Sequence, residues 1–349
     1  MEVIQPRGVG VVGCGKIGAI RAAVAAADPR SRLIAVADVV ADRAADIANR
    51  EGVACSPSWQ SLIDRDDIEA VVVATTHDQL APVSLAALRA GKHVLCEKPM
   101  STNVAEAAGL LEATRHAGRV LKVGFNHRYH PAILRARQAV DEGQLGPLLF
   151  IRCRYGHGGR PGYEHEWRMD PARSGGGELL DQGIHAIDLF RWFLGELSEV
   201  TGLTATWVWP TTVEDNAFAF FRTPAGQVAS LHASWTQWKN LFSFEIFGER
   251  GAAIVTGLGG SYGTEELSVY HRADLGGAPR EEHFEFPGPD GSWTAEWADF
   301  MSAIEGGPSR SADAADGAAA LALVEAVYES ARRPAFVRVD ESRFRAASL

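Results

Sequence analysis

The chain has 349 residues, of which 46% are hydrophobic and 22% are charged. This composition is that of a globular protein with two domains of ordinary size, and it excludes a disordered chain. The formal net charge of -10 argues against nucleic acid and anionic membranes as partners, and no apolar run is long enough to span a bilayer. The N-terminus lacks a secretory signal pattern and the four cysteines lack metal-ligand spacing, so we expect a cytoplasmic protein without a bound metal.

Residues 1–125 alternate short apolar segments with helical ones. Strands are predicted at residues 8–13, 33–37, 53–54, 70–74, 93–96 and 120–123, and helices at 16–27, 41–50, 81–90 and 104–117. Apolar strands that alternate with helices are typical of a parallel sheet covered on both faces. The pattern therefore predicts an α/β domain over this part of the chain.

The pattern changes after residue 125. A helix at 132–140 and a strand at 148–155 precede an irregular stretch at 157–177 and an apolar helix at 178–194. Strands then follow at residues 203–208, 216–222, 228–235, 242–247, 252–256, 267–270 and 283–286, before helices at 295–304 and 312–330. Strands in series without crossover helices indicate a mainly antiparallel sheet. We therefore expect a second, α+β domain with an open sheet over residues 126–349.

The sequence GCGKIG at residues 13–18 fits the pattern G-x-G-x-x-G, directly after a predicted strand and at the start of a predicted helix. Gly13 allows a tight turn, Gly15 lets the backbone approach a pyrophosphate, and Gly18 lets the helix pack on the strand. The second predicted strand leads into Asp38, where a carboxylate would bind the adenosine ribose and repel a 2′-phosphate. The spacing therefore predicts a dinucleotide-binding domain that prefers NAD to NADP.

Lys98 lies in the sequence Glu97-Lys98-Pro99, just after the strand predicted at 93–96. This places it at the edge of the sheet where ligands of parallel sheets bind. A lysine there can transfer a proton or donate a hydrogen bond to a reacting oxygen. An ordinary surface lysine would fit the same pattern.

A polar stripe runs along the helix predicted at 178–194. Asp181, His185, Asp188 and Trp192 follow one another at helical spacing, with apolar residues on both flanks. Burying Asp or His without a partner is costly, so the stripe must meet a substrate or be paired inside the domain interface. Histidine suits proton transfer near neutral pH, and a carboxylate one turn away can orient its ring.

Four motifs occur in the order and spacing of one family. They are GCGKIG at 13–18, LAALRAGKHVLCEKPM at 85–100, VGFNHRYHP at 123–131 and GGGELLDQGIHAIDLFRWFLG at 175–195. Over nearly its whole length the chain resembles the glucose–fructose oxidoreductase, inositol dehydrogenase and rhizopine-catabolism (Gfo/Idh/MocA) family. The resemblance implies an N-terminal Rossmann domain, a C-terminal α+β domain for substrate binding and oligomerisation, and NAD(P)-dependent chemistry on a sugar or cyclitol hydroxyl.

The resemblance also implies roles for individual residues. The implied catalytic set is Lys98, Asp181 and His185, beside the nicotinamide. With the glycine motif and Asp38, the residues expected to bind the cofactor are Gly13, Gly15, Lys16, Ile17, Gly18, Asp38, Thr75, Thr76, His77, Glu97, Lys98 and Asn126. Residues at positions near substrate in the family are Arg128, Trp167 and Arg168, together with Asp181 and His185.

The irregular stretch contains YGHGGRPGYEHEWR at 155–168, which we expect to set substrate identity. His157, Arg160 and Tyr163 supply hydrogen bonds and an aromatic face suited to a polyhydroxylated ring. Its arginines suit a phosphate, and its acidic residues suit an aminated sugar. The same sequence would also be compatible with a solvated surface loop.

These features predict an NAD-dependent dehydrogenase that takes a hydride from a secondary alcohol of a sugar, amino sugar or nucleotide sugar, with C3 as the favoured position. Two alternatives use the same residues: a keto-sugar reductase in sugar biosynthesis and an inositol (cyclitol) dehydrogenase. A non-catalytic dinucleotide-binding regulator is disfavoured, because the chain retains both Lys98 and His185.

The strands predicted at 216–222, 228–235 and 242–247 carry apolar residues at successive positions. A sheet that is apolar on both faces would leave one face bare on a monomer. We therefore expect a homodimer or homotetramer that pairs through the C-terminal sheet. In a monomer, residues 257–264 would have to cover that face.

Overall fold

The computed structural model of the protein describes residues 5–273 and 276–333. The strands of its first sheet are β1 Arg7–Val12, β2 Ser31–Ala37, β3 Ala54–Cys55, β4 Ala70–Val73, β5 His93–Cys96 and β6 Leu121–Val123. They are all parallel and lie in the order β3-β2-β1-β4-β5-β6. The predicted parallel sheet is confirmed, and the carboxyl ends of its strands meet at one edge, where the order reverses between β1 and β4.

Five helices connect these strands. They are α1 Lys16–Ala27, α2 Ala41–Glu51, α3 Trp59–Ile63, α4 His77–Arg89 and α5 Val104–Ala117. The short α3 has no counterpart among the predicted helices, and it begins after a side-chain cap from Ser58. α4 begins four residues before its predicted start, and Asp78 in its first turn favours that start because a carboxylate is stabilised near a helix N-terminus.

The second sheet has eight strands. They are β7 Leu148–Gly156, β8 Glu199–Ala205, β9 Asn216–Arg222, β10 Val228–Ser234, β11 Leu241–Gly248, β12 Gly251–Thr256, β13 Glu265–His271 and β14 Arg280–Phe286. Their order is β14-β13-β12-β11-β7-β10-β9-β8, and all neighbours are antiparallel except β7 and β10. The open, mainly antiparallel sheet predicted for the second domain is confirmed.

Several helices pack on the second sheet. α6 Pro131–Asp141 precedes β7 and packs on β12 and β13. The stretch predicted to be irregular contains helical turns at Tyr163–His165 and Trp167–Met169 and the short α7 Pro171–Ser174. The helix predicted at 178–194 begins with one π-helical turn, Leu179–Gly183, and continues as α8 Ile184–Leu194, which packs on β7. A π turn inserts an extra residue into a helix and is frequent at functional sites.

The last two helices are α9 Ser292–Ile304 and α10 Ala314–Ala331. α9 returns to the first domain, where Trp297, Phe300 and Met301 are buried in one cluster with the apolar side chains of β1. α10 packs on both α5 and β8. Both helices fall within residues 126–349, which the sequence predicts as the second domain. α9 nevertheless contributes to the core of the first domain, and α10 contacts elements of both domains. No helix of the described residues combines the length and the apolar character needed to cross a membrane.

The outer face of the second sheet, which points away from α8, carries aromatic rings among charged side chains. Phe150 stacks on Phe247 with their ring centroids 4.5 Å apart, and Phe218 stacks on His232 at 4.1 Å. Buried and exposed positions alternate along these strands, so the outer face is less uniformly apolar than the sequence predicts. It still exposes large apolar side chains, since Phe220 on this face is 57% exposed.

Residues 257–264 do not cover this outer face. Leu258 of this segment is buried, and the ring of Tyr262 packs on Tyr155 at 5.3 Å, on the inner side of the sheet. The aromatic side chains of the outer face therefore have no cover from the segment that a monomer would need.

We propose that two copies of the chain pair through this outer face. Light scattering at micromolar concentration should give a mass at least twice 37.5 kDa. Pairing would remove the exposed aromatic side chains of this face from water, which favours association. Phe220→Glu should shift the protein toward the monomer, whereas Arg115→Glu on the exposed side of α5 should not. A monomeric wild-type protein would contradict the proposal.

Candidate active site

The glycine loop between β1 and α1 leaves room for a ligand. Gly13 has a φ of +93°, and an added Cβ there would lie 2.3 Å from a neighbouring backbone oxygen. An added Cβ at Gly18 would lie 1.8 Å from the carbonyl oxygen of Gly13, so α1 packs directly on the turn. At Gly15, leaving aside its own chain neighbours, no atom of the described residues lies within 4 Å of that position, and none of their side chains caps the helix start at Lys16 and Ile17. Open space at an uncapped helix N-terminus suits a pyrophosphate.

Asp38, directly after β2, is fixed beside this loop. Its carboxylate accepts hydrogen bonds from the backbone N–H of Cys14 at 2.5 Å and of Val40 at 2.8 Å. Val39 next to it is 98% exposed. A carboxylate held at this position binds the ribose hydroxyls and repels a 2′-phosphate. The loop, the helix start and Asp38 together fit NAD.

Three other residues predicted to bind the cofactor are engaged within the protein. The hydroxyl of Thr75 donates to the carbonyl oxygen of Thr76 at 3.2 Å, and that of Thr76 donates to Asp78 at 2.6 Å. Nδ2 of Asn126 donates to the hydroxyl of Ser292 at 2.8 Å. Their direct contact with the cofactor stays a prediction.

Glu97 lies in a buried ion-pair network. It accepts hydrogen bonds from Nε and Nη2 of Arg21 at 2.8 and 2.6 Å. Arg21 also pairs with Glu296 of α9 at 2.6 Å. Burial, opposed by Arg21, raises the pKa of Glu296 to about 7. Arg21 of α1 therefore binds both α9 and Glu97, which directly follows β5, and the contact of Glu97 with the cofactor stays a prediction.

Lys98 meets Asp181 across the domain interface. Its Nζ lies 3.0 Å from Oδ1 of Asp181 and also donates to the backbone carbonyl oxygen of that residue. Nε of Arg168 donates to the other carboxylate oxygen at 2.8 Å. Although burial disfavours its charge, Arg168 and Lys98 hold the pKa of Asp181 well below its usual range. Asp181 is therefore an anion paired with Lys98 and Arg168, and its carboxylate does not bind the His185 ring that it was expected to orient.

His77, predicted to line the cofactor, belongs to the same cluster. Its Nε2 lies 3.7 Å from Oδ1 of Asp181, and its Nδ1 lies 2.8 Å from the carbonyl oxygen of Ser174. The ring of Trp167 meets it edge to face with the centroids 4.7 Å apart. Burial, opposed by Asp181, lowers the pKa of His77 to about 4, so the ring is neutral and Nδ1 donates.

His185 follows Asp181 on the same helical segment. Its ring stacks on His127 with the centroids 3.8 Å apart and the planes 16° apart. Its Nδ1 is buried without a hydrogen-bond partner in the described part of the chain. Burial, with Lys98 acting in the same direction, holds the pKa of His185 well below its usual value. His185 is therefore a neutral imidazole, and its contact with a substrate stays a prediction.

The rest of the polar stripe is paired inside the protein. Asp188 binds Arg128 at 2.6 Å, and the guanidinium of Arg128 lies 5.8 Å from the ring centre of Trp192. Arg128 also pairs with Asp316 of α10 at 3.2 Å. Its predicted contact with substrate stays a prediction, and in the structure its guanidinium joins α8 to α10.

The loop residues divide into two groups. Trp167 and Arg168 lie at the Asp181 cluster, as described above. Arg160 pairs with Glu166 and packs over the ring of Tyr163, which is buried, at 5.3 Å. The ring of His157 meets Tyr163 at 5.5 Å. Tyr163 is thus the buried centre of the second group, the side chain of Arg160 is exposed, and the arginines of both groups have acidic partners. The contacts of His157, Arg160 and Tyr163 with substrate stay predictions.

Glu178 is a buried acid to which no role was assigned from the sequence. Its side chain is inaccessible to solvent, and neither carboxyl oxygen has a hydrogen-bond partner among the described residues. Burial, with Asp181 acting in the same direction, raises the pKa of Glu178 well above its usual value. Burial therefore favours the neutral form of this carboxyl group, which lies beside the cluster. The sequence feature that could have pointed to Glu178 is its position in the GGGELLD motif.

Two further polar residues of the site are His127 and Tyr155. The hydroxyl of Tyr155 lies 3.0 Å from Nε2 of His127. His127 stands in the VGFNHRYHP motif, and Tyr155 is the first residue of the segment 155–168 that is expected to set substrate identity, but neither residue was assigned a role from the sequence. Within the described residues, no group of three histidine, cysteine or acidic side chains is arranged to hold a metal ion.

Comparisons with known proteins agree with this geometry. Residues 7–125 match the model of an oxidoreductase family with an NAD-binding Rossmann fold, and residues 133–254 match the GFO/IDH/MocA C-terminal domain. An inositol 2-dehydrogenase from Rubrobacter xylanophilus is 31% identical over 95% of this chain and 93% of its own length. The chain belongs to the Gfo/Idh/MocA family and is an NAD-binding oxidoreductase.

A second relative matches over a larger share of both chains. A levoglucosan dehydrogenase from Pseudarthrobacter phenanthrenivorans is 29% identical over 97% of this chain and 99% of its own length. A solved structure of levoglucosan dehydrogenase in complex with NADH and levoglucosan has a TM-score of 0.86 and 28% identity, and covers 95% of this chain and 99% of that one. The similarity extends through both domains.

We expect Asp38 to make NAD(H) bind at least about tenfold more tightly than NADP(H), because its carboxylate repels the 2′-phosphate. Calorimetric dissociation constants test this, and equal values would refute it. Asp38→Ser combined with Val39→Arg should move the preference toward NADP(H). The matched change Asp42→Ser, on the exposed start of α2, should leave it unaltered.

Glu178→Gln should become more stable relative to wild type as the pH rises. Glutamine resembles the neutral acid but does not titrate, whereas the folded-state pKa of Glu178 lies above the ordinary 4.5. The wild-type contribution is fully present below 4.5 and is lost as the pH rises through the folded-state pKa. Urea unfolding at acid and alkaline pH measures the difference. A constant difference, or the same trend in the exposed Glu112→Gln control, would show that Glu178 ionises normally.

Proposed function

We propose that this protein is a cytoplasmic NAD-dependent dehydrogenase that oxidises a secondary hydroxyl of a neutral hexose or anhydrohexose. The single observation that carries the proposal is the meeting of Lys98 and Asp181 across the domain interface, with Nζ and Oδ1 at 3.0 Å and the neutral His185 beside them. The pair lies past the carboxyl end of β5, at the edge of the sheet that holds the glycine loop.

Each residue of the set has a role that follows from its state. Nε2 of the neutral His185 accepts the hydroxyl proton of the substrate. Lys98 donates a hydrogen bond to the same oxygen as negative charge develops there. Asp181 compensates the charge of Lys98 and fixes its position. Bound NAD⁺ supplies the hydride acceptor.

The pairing of Arg168 favours an uncharged substrate. Arg168 is bound to both Glu166 and Asp181, and the side chain of Asp181 is almost fully buried. A phosphate on Arg168 would have to displace that buried carboxylate, which costs more than occupying a free arginine. Trp167 beside His77 offers an aromatic surface for a sugar ring. The similarity to levoglucosan dehydrogenase supports the same class of substrate.

The position of oxidation and the identity of the sugar are part of the proposal. C3 of the hexose unit is the position expected from the sequence. A cyclitol is the second candidate, favoured by the 31% identity to an inositol 2-dehydrogenase. Reduction of the corresponding ketone would use the same residues, and the preference of Asp38 for NAD over NADP favours oxidation over a biosynthetic reduction.

A substrate panel tests the proposal through absorbance of NADH at 340 nm. The panel contains levoglucosan, glucose, myo-inositol, UDP-N-acetylglucosamine and a 3-keto sugar with NADH. Turnover of a neutral hexose or anhydrohexose, with a 3-keto product by NMR, is the expected result. Preference for the nucleotide sugar, or for myo-inositol, would overturn the substrate class, and a different keto position would overturn C3.

Lys98→Ala should lower kcat about 10²- to 10⁴-fold and leave NAD binding nearly unchanged, as expected for a lost proton-transfer group. His185→Ala should be slowed severely as well. The double variant should lose less than the sum of the two effects, because residues that act as a unit are not additive. Lys92 directly precedes the N-terminal end of β5, and the control variant Lys92→Ala should have a normal kcat. Normal turnover by Lys98→Ala would remove Lys98 from the mechanism.

A further inference from the structure

His185 lacks the hydrogen bond that usually orients a catalytic imidazole. Both oxygens of the Asp181 carboxylate are engaged, one by Lys98 and the other by Arg168. Nδ1 of His185 is buried and has no hydrogen-bond partner within the described residues. The terminal torsion of a histidine side chain is broad, so another contact must set the plane of this ring.

That contact is the stack with His127. The two imidazole planes are only 16° apart at a centroid distance of 3.8 Å, and Phe125 meets His185 edge to face at 5.7 Å. His127 and Phe125 come from the segment before α6, whereas His185 belongs to α8. The ring that would accept the proton is therefore held from a different part of the chain.

His127 is itself fixed at both ring nitrogens. Nδ1 lies 3.2 Å from Oδ1 of Asn126, and Nε2 lies 3.0 Å from the hydroxyl of Tyr155. Asn126 directs its amide nitrogen to Ser292, so its oxygen faces His127 and Nδ1 carries the proton. Nε2 then accepts from Tyr155. Burial lowers the pKa of His127 well below its usual value, which agrees with a neutral, doubly bonded ring.

We propose that His127 is a positioning residue for His185: its fixed ring sets the imidazole plane and excludes water from one face, so that Nε2 stays available to a substrate hydroxyl. Asn126 and Tyr155 bind the two nitrogens of the His127 ring, and the stacked ring surface is what acts on His185. The inference rests on the proposed role of His185 as proton acceptor, and it adds a residue that has no part in the Lys98–Asp181 pair.

Loss of the stack should change the titration of His185 in a known direction. Burial is the largest influence and disfavours its protonated form. Lys98, His130 and Arg21 act in the same direction, whereas Asp181 acts in the opposite one. Removing the His127 ring admits water and leaves these charges in place. The pKa of His185 should then rise toward the ordinary value for histidine.

Two variants separate stacking from hydrogen bonding. His127→Ala removes the ring, whereas His127→Phe keeps a flat ring against His185 and removes the bonds to Asn126 and Tyr155. We expect His127→Ala to lower kcat at least about tenfold and to leave NAD⁺ affinity unchanged, because the base loses its orientation. His127→Phe should stay within about threefold of wild type, because the stacked surface remains.

The titration is read by NMR on the substrate-free protein, with the His185 signal assigned by its absence in His185→Phe. In His127→Ala the midpoint should move up, and in His127→Phe it should stay near the wild-type position. An unchanged midpoint and kcat in His127→Ala would overturn the inference. So would a His127→Phe variant as impaired as His127→Ala, since the hydrogen bonds rather than the stack would then position the ring.

The readouts also keep the two proposals apart. The NMR titration needs neither a sugar nor hydride transfer, so it decides the positioning role even if no sugar of the panel is oxidised. Conversely, a sugar that wild type oxidises, and that His127→Ala oxidises equally well with an unchanged titration, would overturn only the positioning role. If His127→Ala does not fold, His127→Leu replaces it, because an aliphatic side chain fills the space without offering a flat ring to His185. The same fall in kcat is then expected, and an unchanged kcat would overturn the inference.

Discussion

The contact between Lys98 and Asp181 is the constraint on which the site depends. Its two partners come from different domains, from the end of β5 and from the π turn before α8. Asp181 is almost fully buried, and a buried carboxylate without compensation is strongly unfavourable. The interface can therefore close in this way only if Lys98 and Arg168 are both delivered to the carboxylate. Formation of the crevice and assembly of the reactive groups are thus the same event.

Arginines repeat this arrangement elsewhere in the interior. Arg21 joins Glu97 to Glu296, and Arg128 joins Asp188 to Asp316. In each case a planar guanidinium bridges two carboxylates that are distant in the sequence, which a point-like ammonium would do less well. These bridges connect α1 with α9 and α8 with α10, so the helices around the crevice are fixed by charge pairing as well as by apolar packing.

The parts of the structure that were predictable are those that depend on local pattern. The glycine loop, Asp38 and the limits of β9 follow from residues close together in the sequence, and Lys98 and Asp181 were found because each lies in a compact motif. The stack of His127 on His185 joins residues from separate segments, and the raised pKa of Glu178 depends on burial that no local pattern reports. The π turn was missed because its residues fit an ordinary helix equally well.

The return of α9 to the first domain has a consequence for how this fold can be divided. Trp297 donates to the hydroxyl of Ser31, and Phe300 and Met301 fill the core behind β1, so the nucleotide-binding unit is built from two separate stretches of chain. The substrate-binding unit is in effect an insertion between them. A fragment that stops at residue 125 would lack part of its own interior. Recombination of this domain with another catalytic partner therefore has to transfer both stretches together, at two crossover points rather than one.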